Sequence, residues 1–188
     1  MASIVISGDT SGSVTLQAPA VAGTTVVTLP STSMNLGTGG GSVATNTAFG
    51  TSALNANTSG SYNAASGYLA LAANTSGGEN TAVGAQSLRN NTTGSYNSGC
   101  GVNTLFTNTT GTNNVAVGEN ALYSNTSGSY NVASGYDSLR NNTTASYNTA
   151  VGYQAGYSNT TGAAQTLVGY LAGYNLTTSD SKSGRAHV

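Results

Sequence analysis

The sequence predicts an all-β chain: a repetitive β-solenoid or β-roll of eight 17-residue repeats, preceded by a small N-terminal β element. Three observations carry this prediction. Asn opens a unit at Asn46, Asn63, Asn80, Asn97, Asn114, Asn131 and Asn148, with Gln165 opening the eighth. Gly stands four residues later every time, from Gly50 and Gly67 through Gly152 to Gly169. The turn phrase Asn-Thr-Ser/Thr-Gly recurs at the same spacing, from Asn57–Gly60 to Asn159–Gly162. A fixed short period without insertion is the mark of stacked coils, each burying what its neighbour cannot bury alone.

Residues 1–30 stand apart from the repeat. Ile4-Val5-Ile6, Ser13-Val14-Thr15-Leu16-Gln17 and Thr25-Val26-Val27-Thr28-Leu29 read as three short strands, separated by turn residues and stopped by Pro30. Such an element is too small to be stable alone. It is expected to dock or trimerise the chain. Residues 31–45, with Gly37-Thr38-Gly39-Gly40-Gly41, read as a flexible joint, and the repeats fill 46–179. The stretch 180–188 departs from the pattern and reads as a tail.

Within one unit, written out as Asn80 to Tyr96, Asn80 opens the coil and Gly84 marks a corner needing positive φ or close backbone approach. Leu88 is the one large apolar residue that most units share, at Leu54, Leu71, Leu88, Leu105, Leu122 and Leu139. Asn91-Thr92-Thr93-Gly94 fits a type I turn, with Asn first and Gly fourth. Each unit is therefore expected to run strand, Gly corner, strand, Asn-Thr turn. Eight rungs at about 4.8 Å make a rod roughly 40 Å long, and a stacked Asn column can form amide ladders. The third position is small in most units (Ala48, Ala65, Ala82, Ala116, Ala133, Ala150), with Gly99 and Leu167 as exceptions. One Leu and one Ala per unit make a thin core, so a homotrimer burying the Ala and Gly columns in a shared seam is expected. The period does not fix the handedness.

Charged residues are 5% of the chain and the net charge is -1, which leaves no basic stripe to neutralise phosphates and argues against nucleic-acid binding. No run is long enough to span a membrane. Met1-Ala2-Ser3-Ile4 opens neither a basic n-region nor an apolar h-region, so no secretory signal is expected. The single Cys100 excludes an intrachain disulfide and reads as a small apolar filler in the column of Val83 and Val117. His187 is the only histidine, and Asp9, Glu79, Glu119, Asp137 and Asp180 are scattered, so no catalytic site, metal site or cofactor is expected.

All eleven tyrosines fall in three columns. Tyr68, Tyr136, Tyr153 and Tyr170 follow the Gly corner and are the candidate glycan contacts, because an exposed ring has an apolar face and a polar tip. Stacked rings that only stiffen the rod are the plainer reading. The unbroken Thr column, Thr58 through Thr177, raises an ice-binding ladder as a further alternative. The sequons, such as Asn57-Thr58-Ser59, are accounted for by turn chemistry.

Asn80-Thr81-Ala82-Val83-Gly84 and Asn148-Thr149-Ala150-Val151-Gly152-Tyr153-Gln154-Ala155 resemble repeats of bacteriophage tail-fibre proteins, and are similar to the β-roll head repeats of trimeric autotransporter adhesins. The adhesin repeat is shorter, so the phage type fits better. Ser13 to Pro30 resembles a segment near the start of tail-fibre chains. The resemblance implies a trimeric virion fibre that attaches to a host cell-surface glycan or protein and joins other tail proteins through residues 1–30. A non-viral extracellular filament or adhesin is the alternative.

Overall fold

In the computed structural model the described residues are 15–16, 27–28, 45–178 and 183–185. The chain divides into two units, residues 1–34 and 35–188. In the first, β1 (Thr15–Leu16) and β2 (Val27–Thr28) pair antiparallel, Thr15 opposite Thr28 and Leu16 opposite Val27. These are the centres of two of the three expected strands; the run Ile4–Ile6 lies outside the described residues.

The second unit is a parallel β-solenoid. Its strands are β3 (Thr47–Phe49), β4 (Ala64–Ser66), β5 (Thr81–Val83), β6 (Ser98–Cys100), β7 (Val115–Val117), β8 (Val132–Ser134), β9 (Thr149–Val151), β10 (Thr166–Val168) and β11 (Ser183–Arg185). They lie in chain order in one 9-stranded sheet. Each residue pairs with the one a full repeat later, as Thr81 with Ser98 and Ala82 with Gly99. The last strand is a finding beyond the sequence reading. Ser183, Gly184 and Arg185 pair with Thr166, Leu167 and Val168, so a ninth rung begins inside the expected tail.

Each rung holds one regular strand, not two. The rest of the coil is turn-like, and it bends through left-handed backbone at residues that are not glycine. In rung three these are Gln86 (φ 59), Leu88 (φ 52) and its last residue Tyr96 (φ 60), with Glu79 (φ 57) at the same place in rung two. Such conformations cost roughly 1–2 kcal/mol per residue for L side chains. Bonds to adjacent rungs hold them: Leu88 N–H donates to Thr104 O at 2.8 Å, and Gln86 N–H to Tyr68 O at 2.8 Å.

The interior is narrow and filled by one chain. The middle residue of every strand from β3 to β10 points inward, and Leu54, Leu71, Leu88, Leu105, Leu122 and Leu139 are fully buried behind it. This corrects the expected seam. Ala82, Ala116, Ala133 and Ala150 lie inside the coil, with no surface left for another chain. Gly84 (φ +125) does turn a corner, and its close neighbour is the Gly101 carbonyl of the next rung, where a β-carbon has no room.

Candidate functional site

Two asparagine columns close each coil. Asn91 is buried, and its amide donates to Asn74 Oδ1 at 2.8 Å and to Gly94 O at 2.9 Å. Its own Oδ1 accepts from Asn108 at 2.8 Å. Asn80, also buried, donates to the same Gly94 carbonyl at 2.9 Å, while its Oδ1 accepts the Asn97 backbone N–H at 3.0 Å. The opening and turn asparagines therefore clasp one carbonyl from two sides. A β-carbon at Gly94 would collide with the Gly111 carbonyl and with Asn91 Oδ1, which favours glycine at the end of the turn, as in six of the seven turns; Ala145 stands there in the sixth. Of the six positions singled out from the sequence, Asn80, Asn91 and Gly94 close the coil, Gly84 turns its corner, Leu88 fills its interior and Thr92 bonds to the next rung.

The threonine column serves the same ladder. Thr92 Oγ1 donates to Thr109 O at 3.0 Å, and Thr58, Thr75, Thr109, Thr126, Thr143 and Thr160 repeat the bond at 2.9–3.1 Å. The hydroxyls that an ice-facing ladder would need free are committed to carbonyls.

Of the four candidate contact tyrosines, three come together. Tyr136 and Tyr153 stack at 5.5 Å between centroids, and Tyr153 and Tyr170 at 5.4 Å. Tyr68 stands apart in the same column, with Ala85, Val102 and Glu119 between it and Tyr136. Face-to-face stacking consumes the inner ring faces, so this column presents a comb of ring edges and hydroxyls. The Asp137 carboxylate raises the Tyr136 phenol above its ordinary value, with desolvation and Glu119 adding to it.

A second column, unrecognised from the sequence as a unit, runs beside it. Arg89 lies 5.5 Å over the Phe106 ring, Phe106 stacks on Tyr123 at 5.0 Å, and Arg140 sits 5.3 Å from Tyr123 and 5.9 Å from Tyr157. Tyr157 then stacks on Tyr174 at 5.1 Å. Arginine fills the one gap between rings, as cation–π contact allows. Its signal was present in the residues after each Leu88-type position: Arg89, Phe106, Tyr123, Arg140, Tyr157 and Tyr174 share a 17-residue spacing.

Between the two columns runs a polar row. Asn103 donates to Asn120 at 3.3 Å, Asn120 to Asp137 Oδ1 at 3.1 Å, and Gln154 to Asp137 Oδ2 at 3.3 Å. Arg140 Nε is ion-paired with Asp137 Oδ1 at 3.2 Å. Asp137 is buried among these partners, which is how a lone carboxylate is tolerated in a chain so poor in charge. Cys100 corrects another expectation: it is exposed on the outer face of the sheet, not a filler of the core. No family model, curated protein or solved structure matches the chain.

Proposed function

We propose that this chain is the rod of a phage tail fibre, assembled as a homotrimer, which attaches the particle to a host surface. The resemblance of the repeats and of residues 13–30 to tail-fibre chains supports the reading, and so does a stiff stack with every rung tied to the next. The observation that carries it furthest is the uneven spread of aromatic surface. Rungs five to eight hold two rings each, as rung one does with Phe49 and Tyr62, and Tyr136, Tyr153 and Tyr170 form an exposed comb beside the Tyr123–Arg140–Tyr157–Tyr174 column. Ring edges, phenol hydroxyls and side-chain amides at one rung spacing suit a glycan or an extended polar chain lying along the rod.

The mechanism is multivalent contact. Each rung offers a weak site, and several rungs on three chains raise avidity without one strong pocket. Residues 1–30 join the rod to other tail proteins, and the virion is its location. The test is binding of the full chain to host cells and glycans. The triple change Tyr136→Ser, Tyr153→Ser and Tyr170→Ser should abolish binding while Tyr68→Ser leaves it largely intact. Equal binding by both would move the contact elsewhere on the rod. Neighbouring genes for capsid or tail proteins would separate the fibre from a non-viral filament.

A further inference from the structure

The residues left outside the coil by a narrow interior point to a specific association surface. Along β3 to β10 the middle side chain is inward and its two flanking side chains are outward. Because only Ala, Gly or one Leu fits inside, the larger residues face out. Phe49 is 50% exposed, Val83 and Val117 44%, and Val168 53%. Among the described residues every exposed valine except Val102 lies on this face. No charged residue stands at either outward position of the eight strands.

We propose that this outward sheet face is the seam through which copies of this chain associate; the inference rests on the trimeric reading above and gives it a different surface from the Ala and Gly columns. The occupant follows from periodicity. Side chains here form ridges at the rung spacing, and only a partner with the same spacing keeps ridges in grooves along the whole rod. Another copy of the chain has that spacing by construction, and the face of β3 to β10, which carries no charge, meets its copy without repulsion. Area sets the strength of each contact. The face measures roughly 40 Å by about 10 Å, so two faces bury about 800 Å² in total, which is typical of weak contacts. Three faces closed around an axis bury about 1,200 Å² over the whole assembly, or about 400 Å² for each pair of chains, so the number three comes from the trimeric reading and not from area. Cys100, between Val83 and Val117 in the outward column, would then face that axis.

The experiment measures native mass by light scattering and the reaction of Cys100 with a maleimide, on the full chain and on Val117→Asp. The chain should have three times the 18.5 kDa mass with a protected thiol. Val117→Asp should keep its circular dichroism, fall to single-chain mass and expose the thiol. Val151→Lys is a second disruption on a separate rung, in case the first affects folding. Ser127→Asp, on the exposed turn side, should leave the mass unchanged. A trimer with a freely reactive thiol, or one that survives both face variants, would overturn the seam and leave the trimeric reading standing. A native monomer would overturn both.

Discussion

A β-carbon placed on Gly156 would lie 2.9 Å from Cδ1 of Leu167, and one on Gly173 would lie 2.7 Å from its Cδ2. Leu167 occupies the third position, where other rungs carry Ala or Gly, and the two glycines occupy the ninth, where other rungs carry Leu. The exchange keeps the interior filled while swapping which side of the coil supplies the volume. Rung four solves the inverse problem: Ser87 Oγ and Thr104 Oγ1 meet at 2.7 Å, and a β-carbon on Gly99 would lie 2.5 Å from Ser87 Oγ. Polar groups reach into the space an Ala would take.

Leu167→Ala should therefore open a cavity against two glycines and cost about 2–5 kcal/mol. Gly156→Leu alone should overpack, by about 1–3 kcal/mol. Restoring the common pattern, with Leu167→Ala, Gly156→Leu and Gly173→Leu together, should recover most of the loss, because leucine already adopts this left-handed corner at Leu139 (φ 48). Denaturant midpoints of the single and combined variants measure the coupling. Additive losses would show that these side chains do not share one space. Ala82→Leu, facing Leu88 rather than glycine, should destabilise folding itself and not assembly alone.

Asn91 makes three side-chain bonds that no other group can replace. Asn91→Ala leaves Asn74 Oδ1 without this donor and the Asn108 amide with only its Gly111 acceptor, both side chains being buried. The expected loss is about 3 kcal/mol or more. Asn91→Asp should be worse, since a carboxylate has no hydrogen for Asn74 and brings an unpaired charge inside. Thr92→Ala, which removes one partly exposed bond, should cost only about 1 kcal/mol. Urea titrations that rank Thr92→Ala as the most harmful of the three would contradict the clasp.

The period was legible because the Gly50 column runs through all eight units, with Asn46 repeated in seven and Leu54 in six, and the amide ladder followed from a buried column of one polar residue. The orientation of the strands was not. In Thr81-Ala82-Val83 the small residue is inside and the valine outside, the reverse of the usual half-buried strand, because stacked coils this narrow have no room for valine at that place. Smallness alone fits an interior as well as a seam between chains. The left-handed corners at Gln86, Leu88 and Tyr96 were hidden because they carry no glycine. The replacement of Leu by Gly156 and Gly173 was the available clue. The aromatic columns could be read from spacing, whereas the insertion of Arg140 between two rings depended on geometry.

The seven turn sequons from Asn57 to Asn159 are closed to glycosylation in the folded chain. Each asparagine is buried, and each amide donates to its own turn carbonyl. The Ser or Thr two residues on is exposed: Ser59, Ser76, Thr93, Thr110, Ser127, Thr144 and Thr161. Expression through a glycosylating secretory pathway should attach sugars before folding and yield protease-sensitive chains. Alanine at those seven exposed positions removes these sequons without touching the ladder, leaves only those on the accessible Asn90, Asn141 and Asn175, and should restore a resistant fold. A protease-resistant product carrying sugar on Asn91 would show that the ladder can be opened without loss of structure.

Tyr136 gives a pH readout of the charged end of the polar row. Its phenol is raised by Asp137 first, then by desolvation and by Glu119, with Arg140 acting in the opposite sense. The charged form is the phenolate, so a raised value means that the folded chain holds the proton more tightly than the unfolded chain does. Through this group, stability is unchanged well below the unfolded value of 10.0 and declines as pH rises past it towards the folded value. The difference in phenolate absorbance between the natural chain and Tyr136→Phe isolates the titration. Asp137→Asn should lower it more than Glu119→Gln does, and Arg140→Gln should raise it further. A titration that ignores Asp137→Asn would mean that the carboxylate is screened from the ring, and that Asp137 serves the amide row and Arg140 alone.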